Sequence, residues 1–164
     1  MRRIAIAFVF ALLCTAPLAS AQKAIDITPD YIAGIKLGMT HAQARALLGK
    51  PVRVDRLEGG YDRLVSTRQK VEVYFRAGAK GVVVVTTWNR TLQTDEQVGP
   101  CSTVAALKAA YGSRLRAFRQ AGKVIAYRLG NLVFAAQGGR RVNAVGLGRG
   151  TAATYVTLNV TECR

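Results

Sequence analysis

The feature that most constrains the fold is a helix signal followed by several short strand signals, a pattern that occurs twice in the chain. Residues 35–49 can be laid on residues 98–112 at a constant separation of 63 residues, and Gly59 and Gly122 keep the same separation. A pattern that recurs at a fixed period is typical of an internal repeat. We therefore expect two tandem units, at about residues 32–90 and 95–150.

Each unit is predicted to begin with one short helix. Thr40 in the first unit, and Ser102 or Thr103 in the second, can accept hydrogen bonds from the free N–H groups of a first helical turn. Gly49 and Gly112 suit the left-handed position that closes a helix. Both helices should therefore span only a few turns.

Alternating or β-branched segments, broken by glycine, follow each helix and indicate antiparallel strands. The predicted strands cover residues 52–56, 61–66, 71–76 and 81–88 in the first unit, and residues 114–119, 123–129, 132–136 and 141–147 in the second. Val71, Val73 and Phe75 alternate with charged or polar residues, so one sheet face should be core and the other open. The predicted class is α+β, with both meanders forming a sheet and the helices packed on one face. A last strand is predicted at residues 154–160, within a C-terminal segment 151–164.

The N-terminal residues resemble a secretory signal. Two arginines follow Met1, residues 4–13 form an apolar run, and a small-residue site at residues 19–21 precedes Gln22. We expect cleavage after Ala21, which leaves residues 22–164 as a single domain. A membrane anchor, a buried core helix and a lipoprotein signal centred on Cys14 are the alternatives, although the run is shorter than the roughly 20 residues of a membrane span.

Two cysteines, Cys101 and Cys163, remain after the signal and should form a disulfide in an oxidising compartment. A reactive or metal-binding pair is the alternative, but His41 is distant in the sequence and no CxxC spacing occurs. Periplasmic or secreted localisation follows, and we expect no metal site.

The whole chain has a formal charge of +15, and the positive charge is concentrated in its second half. Residues 97–164 contain ten basic residues and one acidic residue, whereas residues 22–96 contain twelve and eight. Such a field attracts phosphate-bearing or carboxylate-bearing surfaces and weakens as salt rises. General solubility without a dedicated anionic ligand is the alternative.

The candidate binding residues are basic residues of the second unit, together with an aromatic residue that lies among them. They are Arg114, Arg116, Arg119, Lys123, Tyr127, Arg128, Arg140 and Arg141. Guanidinium groups beside aromatic rings suit phosphate, carboxylate or ring partners. The alternative is that the aromatic residues are core and the arginines only solvate the surface.

The residues do not indicate an enzyme or a cofactor. His41 is the single histidine and is expected at an exposed first helical turn, and the adjacent acids Asp95 and Glu96 lie in a predicted loop between the units. The glycines of residues 146–150 look like a phosphate cradle, but no helix is predicted after them.

Residues 34–40, followed by Ala44 and residues 48–51, resemble the SmpA/OmlA group of small outer-membrane assembly proteins. This resemblance implies a lipid-anchored periplasmic accessory factor. The repeated helix-then-sheet order also resembles the β-lactamase-inhibitor-protein-like fold, which implies a concave sheet that grasps an enzyme.

The functional hypothesis is an exported, non-enzymatic binding module of the cell envelope. Its basic sheet face would dock an anionic envelope component or an acidic protein. The alternative is a secreted inhibitor or immunity-type factor that blocks a specific enzyme. A membrane surface is a possible partner, nucleic acid is not expected because of export, and the oligomeric state stays open.

Overall fold

The computed structural model describes residues 26–50, 52–159 and 163. The predicted signal peptide, residues 1–21, and Cys14 lie outside the described residues, as do residues 160–162 and 164.

The chain contains ten strands and three α-helices in its described part. Two short strands, β1 (Tyr31–Ile32) and β2 (Ile35–Lys36), precede helix α1 (His41–Leu48). The next four strands are β3 (Arg53–Leu57), β4 (Tyr61–Ser66), β5 (Val71–Arg76) and β6 (Val82–Thr87). Helix α2 (Val104–Tyr111) and a 3₁₀ turn (Gly112–Arg114) are followed by β7 (Arg116–Gln120), β8 (Lys123–Leu129), β9 (Leu132–Ala135), β10 (Ala144–Gly148) and helix α3 (Gly150–Leu158).

Eight of the strands form one antiparallel sheet, in the order β3-β4-β5-β6-β10-β9-β8-β7. β6 and β10 meet at its centre, where Thr87 pairs with Val145 and Val84 with Gly148. β3 and β7 are the two edges. The predicted α+β class and antiparallel sheet are confirmed, and the eight meander strands lie within a few residues of their predicted positions.

Thr40 and Thr103 begin the first two helices, as the hydroxyl pattern predicts. The N–H of Gln43 donates to Thr40 Oγ1 at 3.3 Å, and the Thr40 N–H donates to Gln43 Oε1 at 2.9 Å. The N–H of Ala106 donates to Thr103 Oγ1 at 3.0 Å. These bonds satisfy N–H groups that have no partner inside a helix.

The main core lies on the face of the sheet that α1 and α2 cover. Leu48 of α1 and Leu107 of α2 belong to the same buried cluster as Val73 and Phe134 of the sheet. The cluster includes residues from both halves of the chain, so the two halves share one core.

The predicted C-terminal strand is wrong, because residues 150–158 form α3. Thr154, Tyr155 and Thr157 look like strand residues because β-branched and aromatic side chains favour strands. The sheet instead offers a smooth groove, since Gly146 and Gly148 of β10 have no side chains. A helix fits closely against this strip and buries Ala153 and Thr157.

The prediction of helices on one face only is therefore also wrong. α3 contacts β10, β9, β6 and β8, and its Ala153 and Leu158 join a second buried cluster with Tyr74 and Val133 on the opposite face. This face is not open at its centre, and even Glu72 of β5 is buried.

The predicted disulfide is confirmed. Cys101 and Cys163 are bonded, with their Cα atoms 5.3 Å apart. The bond connects Cys163, five positions beyond the end of α3, to the segment just before α2. Within the described ranges, no helix is long and apolar enough to cross a membrane.

Candidate functional site

The eight predicted binding residues do not form one surface. Arg114, Arg116 and Arg128 meet at the end of the sheet where β7 begins and β8 ends, and with Gly130 they line a cleft of about 320 Å³. We call this the arginine cleft.

The other predicted residues lie elsewhere. Arg119 and Lys123 flank the turn at the opposite end of the β7–β8 hairpin. Tyr127 is buried in the main core, on the other face of the sheet. Arg140 and Arg141 lie in the loop before β10, where Arg141 donates to the Cys101 carbonyl at 2.9 Å. The eight residues are therefore spread over several parts of the molecule, and only three of them line one cleft.

Arg128 has a structural role at the cleft. Its guanidinium donates to three carbonyl oxygens, those of Gly130 at 3.1 Å, Gly148 at 3.0 Å and Gly150 at 2.6 Å. These bonds fasten the start of α3 to the end of β8. The charge of Arg128 remains at the cleft, but its donors are largely committed.

Arg114 and Arg116 are the more available cations of the cleft. Arg114 lies over the ring of Tyr111 at 5.2 Å and donates to the Ala110 carbonyl at a long 3.4 Å. Arg116 pairs across the strands with Arg128; it is exposed and has no side-chain partner among the described residues. Like charges on neighbouring strands repel each other. A bound anion would relieve this repulsion.

A second cavity, of about 430 Å³, lies at the same end of the sheet as the arginine cleft, and Arg149 is one of its lining residues. Apolar side chains form most of its wall: Leu37, Val82, Val83 and Val84. Tyr61, Arg76 and Arg149 supply its polar groups, and Gly38 completes the lining. We call this the valine cavity.

The sheet register explains why these residues meet. Tyr61 of β4 pairs with Arg76 of β5, so both side chains point to the same face. Val84 of β6 pairs with Gly148, which places Arg149 directly beside the start of β6. The loop before α1 closes the cavity, because the Gly38 N–H donates to the Val82 carbonyl at 2.8 Å.

A partly buried ionic network occupies the adjoining part of the sheet. Arg63 donates to Asp55 at 2.6 Å and to Glu72 at 3.3 Å, and the Tyr74 hydroxyl donates to Glu72 at 2.5 Å. The Arg63 hydrogen bond holds the pKa of Asp55 below its usual value. Burial, followed by the bond to Glu72, raises the pKa of Tyr74 far above its usual value. Arg63 thus donates to both carboxylates. These residues join neighbouring strands, so their role is structural.

The residues weighed for catalysis lie apart from both cavities. His41 is exposed at the start of α1 and its ring lies 5.0 Å from that of Phe75. Asp95 and Glu96 are exposed in the loop before α2. The part of the chain that the structure describes holds no group of three His, Cys, Asp or Glu residues arranged to bind a metal.

A helix does follow the glycines of residues 146–150, contrary to the sequence prediction. β10 is nevertheless antiparallel to both of its neighbours, whereas a dinucleotide cradle needs a parallel βαβ unit. The glycines serve instead to admit α3.

Sequence reasoning missed Tyr61, Arg76 and Arg149. The alternation of β5 places Arg76 on the face opposite Val73, which is a readable signal. The neighbourhood of Arg149 depends on the β6–β10 pairing, which periodicity does not reveal.

Comparisons of the chain with protein-family models, with curated protein sequences and with solved structures give no match.

Proposed function

We propose that this chain is an exported, non-enzymatic binding module that docks an anionic component of the cell envelope. The observation that carries the proposal is the arginine cleft, where three guanidinium groups converge and the lining residues include no acid. Arg116 supplies an exposed charge there, for which the described part of the chain offers no side-chain partner. Guanidinium groups bind phosphate and carboxylate oxygens in a bidentate way.

The charge of the whole chain supports the same partner class. The formal charge of +15 raises the local concentration of anions and speeds encounter with them. The disulfide is compatible with an oxidising compartment, where such bonds persist. We therefore propose that the module is periplasmic or secreted.

We also propose that the chain arose by duplication of a unit made of one helix and four strands. α1 with β3 to β6, and α2 with β7 to β10, repeat this order, and the sheet order is mirrored about β6 and β10. Thr40 and Thr103, which cap the two helices, are separated by the same 63 residues as Gly49 and Gly112, which end them. This repeated arrangement is what supports the duplication.

The inhibitor hypothesis requires an open sheet face, and its support is weaker because α3 packs on the central strands of that face. The docking proposal depends only on the end of the sheet, where both cavities remain accessible.

The docking proposal is tested by sedimentation with vesicles at several salt concentrations. Vesicles that contain anionic phospholipid should retain the protein at low salt and release it as salt rises, while zwitterionic vesicles should not retain it. A basic residue near an anionic surface contributes about 1 kcal/mol. Reversing the charge with Arg116→Glu should cost about 2 kcal/mol, or weaken binding about thirtyfold.

Arg45→Glu is the matched control, because Arg45 is exposed on α1, which packs on the opposite face. Both variants change the net charge equally, so only the location of the charge differs. Equal losses for the two variants would show attraction by overall charge and would refute a docking site at the cleft. Salt-insensitive binding, or retention by neither vesicle, would refute it as well.

A further inference from the structure

The valine cavity combines an apolar wall with two arginine side chains. Val82 and Val84 are buried, and Leu37 and Val83 are half-buried. Arg76 and Arg149 are exposed at its edge, and their guanidinium groups have no hydrogen-bond or carboxylate partner among the residues that the structure describes. An apolar wall with a few convergent polar groups is the usual composition of a small-molecule site.

Its size and shape favour a small ligand. The volume of about 430 Å³ lies in the range of small-molecule pockets. One side is closed by the loop before α1, which is held by the bonds between Gly38, Met39 and Val82 at 2.8 Å. At Gly81 a side chain could not be accommodated, since a Cβ would lie 2.2 Å from the Gly38 carbonyl oxygen. The loop therefore seats directly on β6 and forms a fixed wall.

The charges define the kind of ligand. None of the residues that line the cavity is acidic, so no carboxylate of the lining neutralises the two guanidinium groups. A neutral apolar ligand would cover the wall but would displace water from these cations without compensation. A small inorganic anion would satisfy the cations but leave the apolar wall exposed to water.

We propose that the valine cavity binds a small amphipathic anion, with its apolar body against the valines and its head group between Arg76 and Arg149. Tyr61, the cross-strand neighbour of Arg76, offers a hydroxyl within the same lining that can donate to the head group. This activity goes beyond docking at the arginine cleft and depends on different residues.

The proposal is tested by isothermal titration calorimetry of the full chain below the micelle concentration of each probe. Decanoate and decyl phosphate present the two head groups of this class, decan-1-ol presents the apolar body alone, and acetate presents the head alone. At least one of the two amphipathic anions should bind with one-to-one stoichiometry, at least tenfold more tightly than the alcohol or acetate. The better of the two then identifies a carboxylate or a phosphate ligand.

The variant Arg76→Gln/Arg149→Gln should weaken binding of the preferred anion by about tenfold or more, because charge-assisted hydrogen bonds are lost. Its affinity for decan-1-ol should not change, which separates loss of the head-group contacts from loss of the fold. Arg45→Glu is the second control and should retain the binding, since it changes the net charge by the same amount and Arg45 does not line this cavity.

Two results would overturn the inference: decan-1-ol that binds as tightly as both anions, or a double arginine variant that binds the preferred anion as the wild type does. Anion binding that is weakened in the double arginine variant and kept in Arg45→Glu supports the inference. Failure of vesicle binding alone would leave the cavity result standing.

Discussion

At the scale of single residues, two glycines decide how the second face of the sheet is covered. Gly146 and Gly148 lie on β10 under α3. A Cβ at Gly146 would come within 2.0 Å of Thr157 Oγ1, and one at Gly148 within 2.8 Å of the Ala153 Cβ. The absence of side chains at these positions lets the helix approach the strand closely.

Gly146→Ala should destabilise the protein by about 1–3 kcal/mol, because the added methyl group overpacks the contact with α3. The measurement is the urea midpoint, followed by circular dichroism. A double-mutant cycle with Thr157→Ala, which removes the clashing hydroxyl, should show that the double variant is more stable than the sum of the single effects predicts. An unchanged midpoint for Gly146→Ala would contradict the close packing.

At the scale of elements, α3 is fastened at both of its ends. Arg128 bonds the carbonyls of Gly148 and Gly150 at its beginning, and the disulfide of Cys163 with Cys101 follows its end. Thr157 adds a bond to the Ala153 carbonyl at 2.6 Å within the helix. A helix of nine residues is marginal alone in water, so these attachments and the packing on the sheet are what hold it.

Cys101→Ser/Cys163→Ser should lower the free energy of unfolding by up to about 4 kcal/mol, because the bond closes a long loop in the unfolded chain. The urea midpoint measures the loss. A reductant should lower the wild-type midpoint to that of the variant and leave the variant itself unchanged. A wild type whose midpoint is insensitive to reduction would show that the bond does not contribute.

Whether α3 is a helix or a strand could not be read from its own residues. Thr154, Tyr155 and Thr157 have strand propensity, and propensity is a weak guide that tertiary packing overrides. The strands of the meander were predictable because their alternating or β-branched segments are broken by glycine. Val71, Val73 and Phe75 are buried in the main cluster, as that alternation requires.

At the scale of the whole molecule, the sheet is continuous across the two halves of the chain. β6 pairs with β10 over four residues, from Val84 to Thr87. Val73 of the first half and Phe134 of the second lie in one buried cluster. Neither half can expose this joint surface without losing part of its own core.

The described domain should therefore unfold in one cooperative transition. The single tryptophan, Trp88, reports on the end of β6 in the first half, while far-ultraviolet circular dichroism reports on the whole chain. In a urea titration the two signals should give the same midpoint. Separate midpoints would show that the halves are independent units.

The candidate sites were predictable only in part. Three of the eight residues chosen from charge, Arg114, Arg116 and Arg128, do share a cleft. Charge density along the chain identified the basic half, but it carries no information on the direction in which each side chain points. Arg76 and Arg149, which are 73 positions apart in the chain, meet because of strand order.

The sequence by itself determined the α+β class, the positions of the first two helices and of the meander strands, and the cysteine pair. These depend on local signals, namely hydroxyl caps, glycine breaks and side-chain alternation, and on there being two cysteines to pair. Only the tertiary structure decided the course of residues 150–158, the second covered face and the grouping of the arginines. Those features depend on which strands become neighbours, and the β6–β10 contact joins residues that are far apart in the chain.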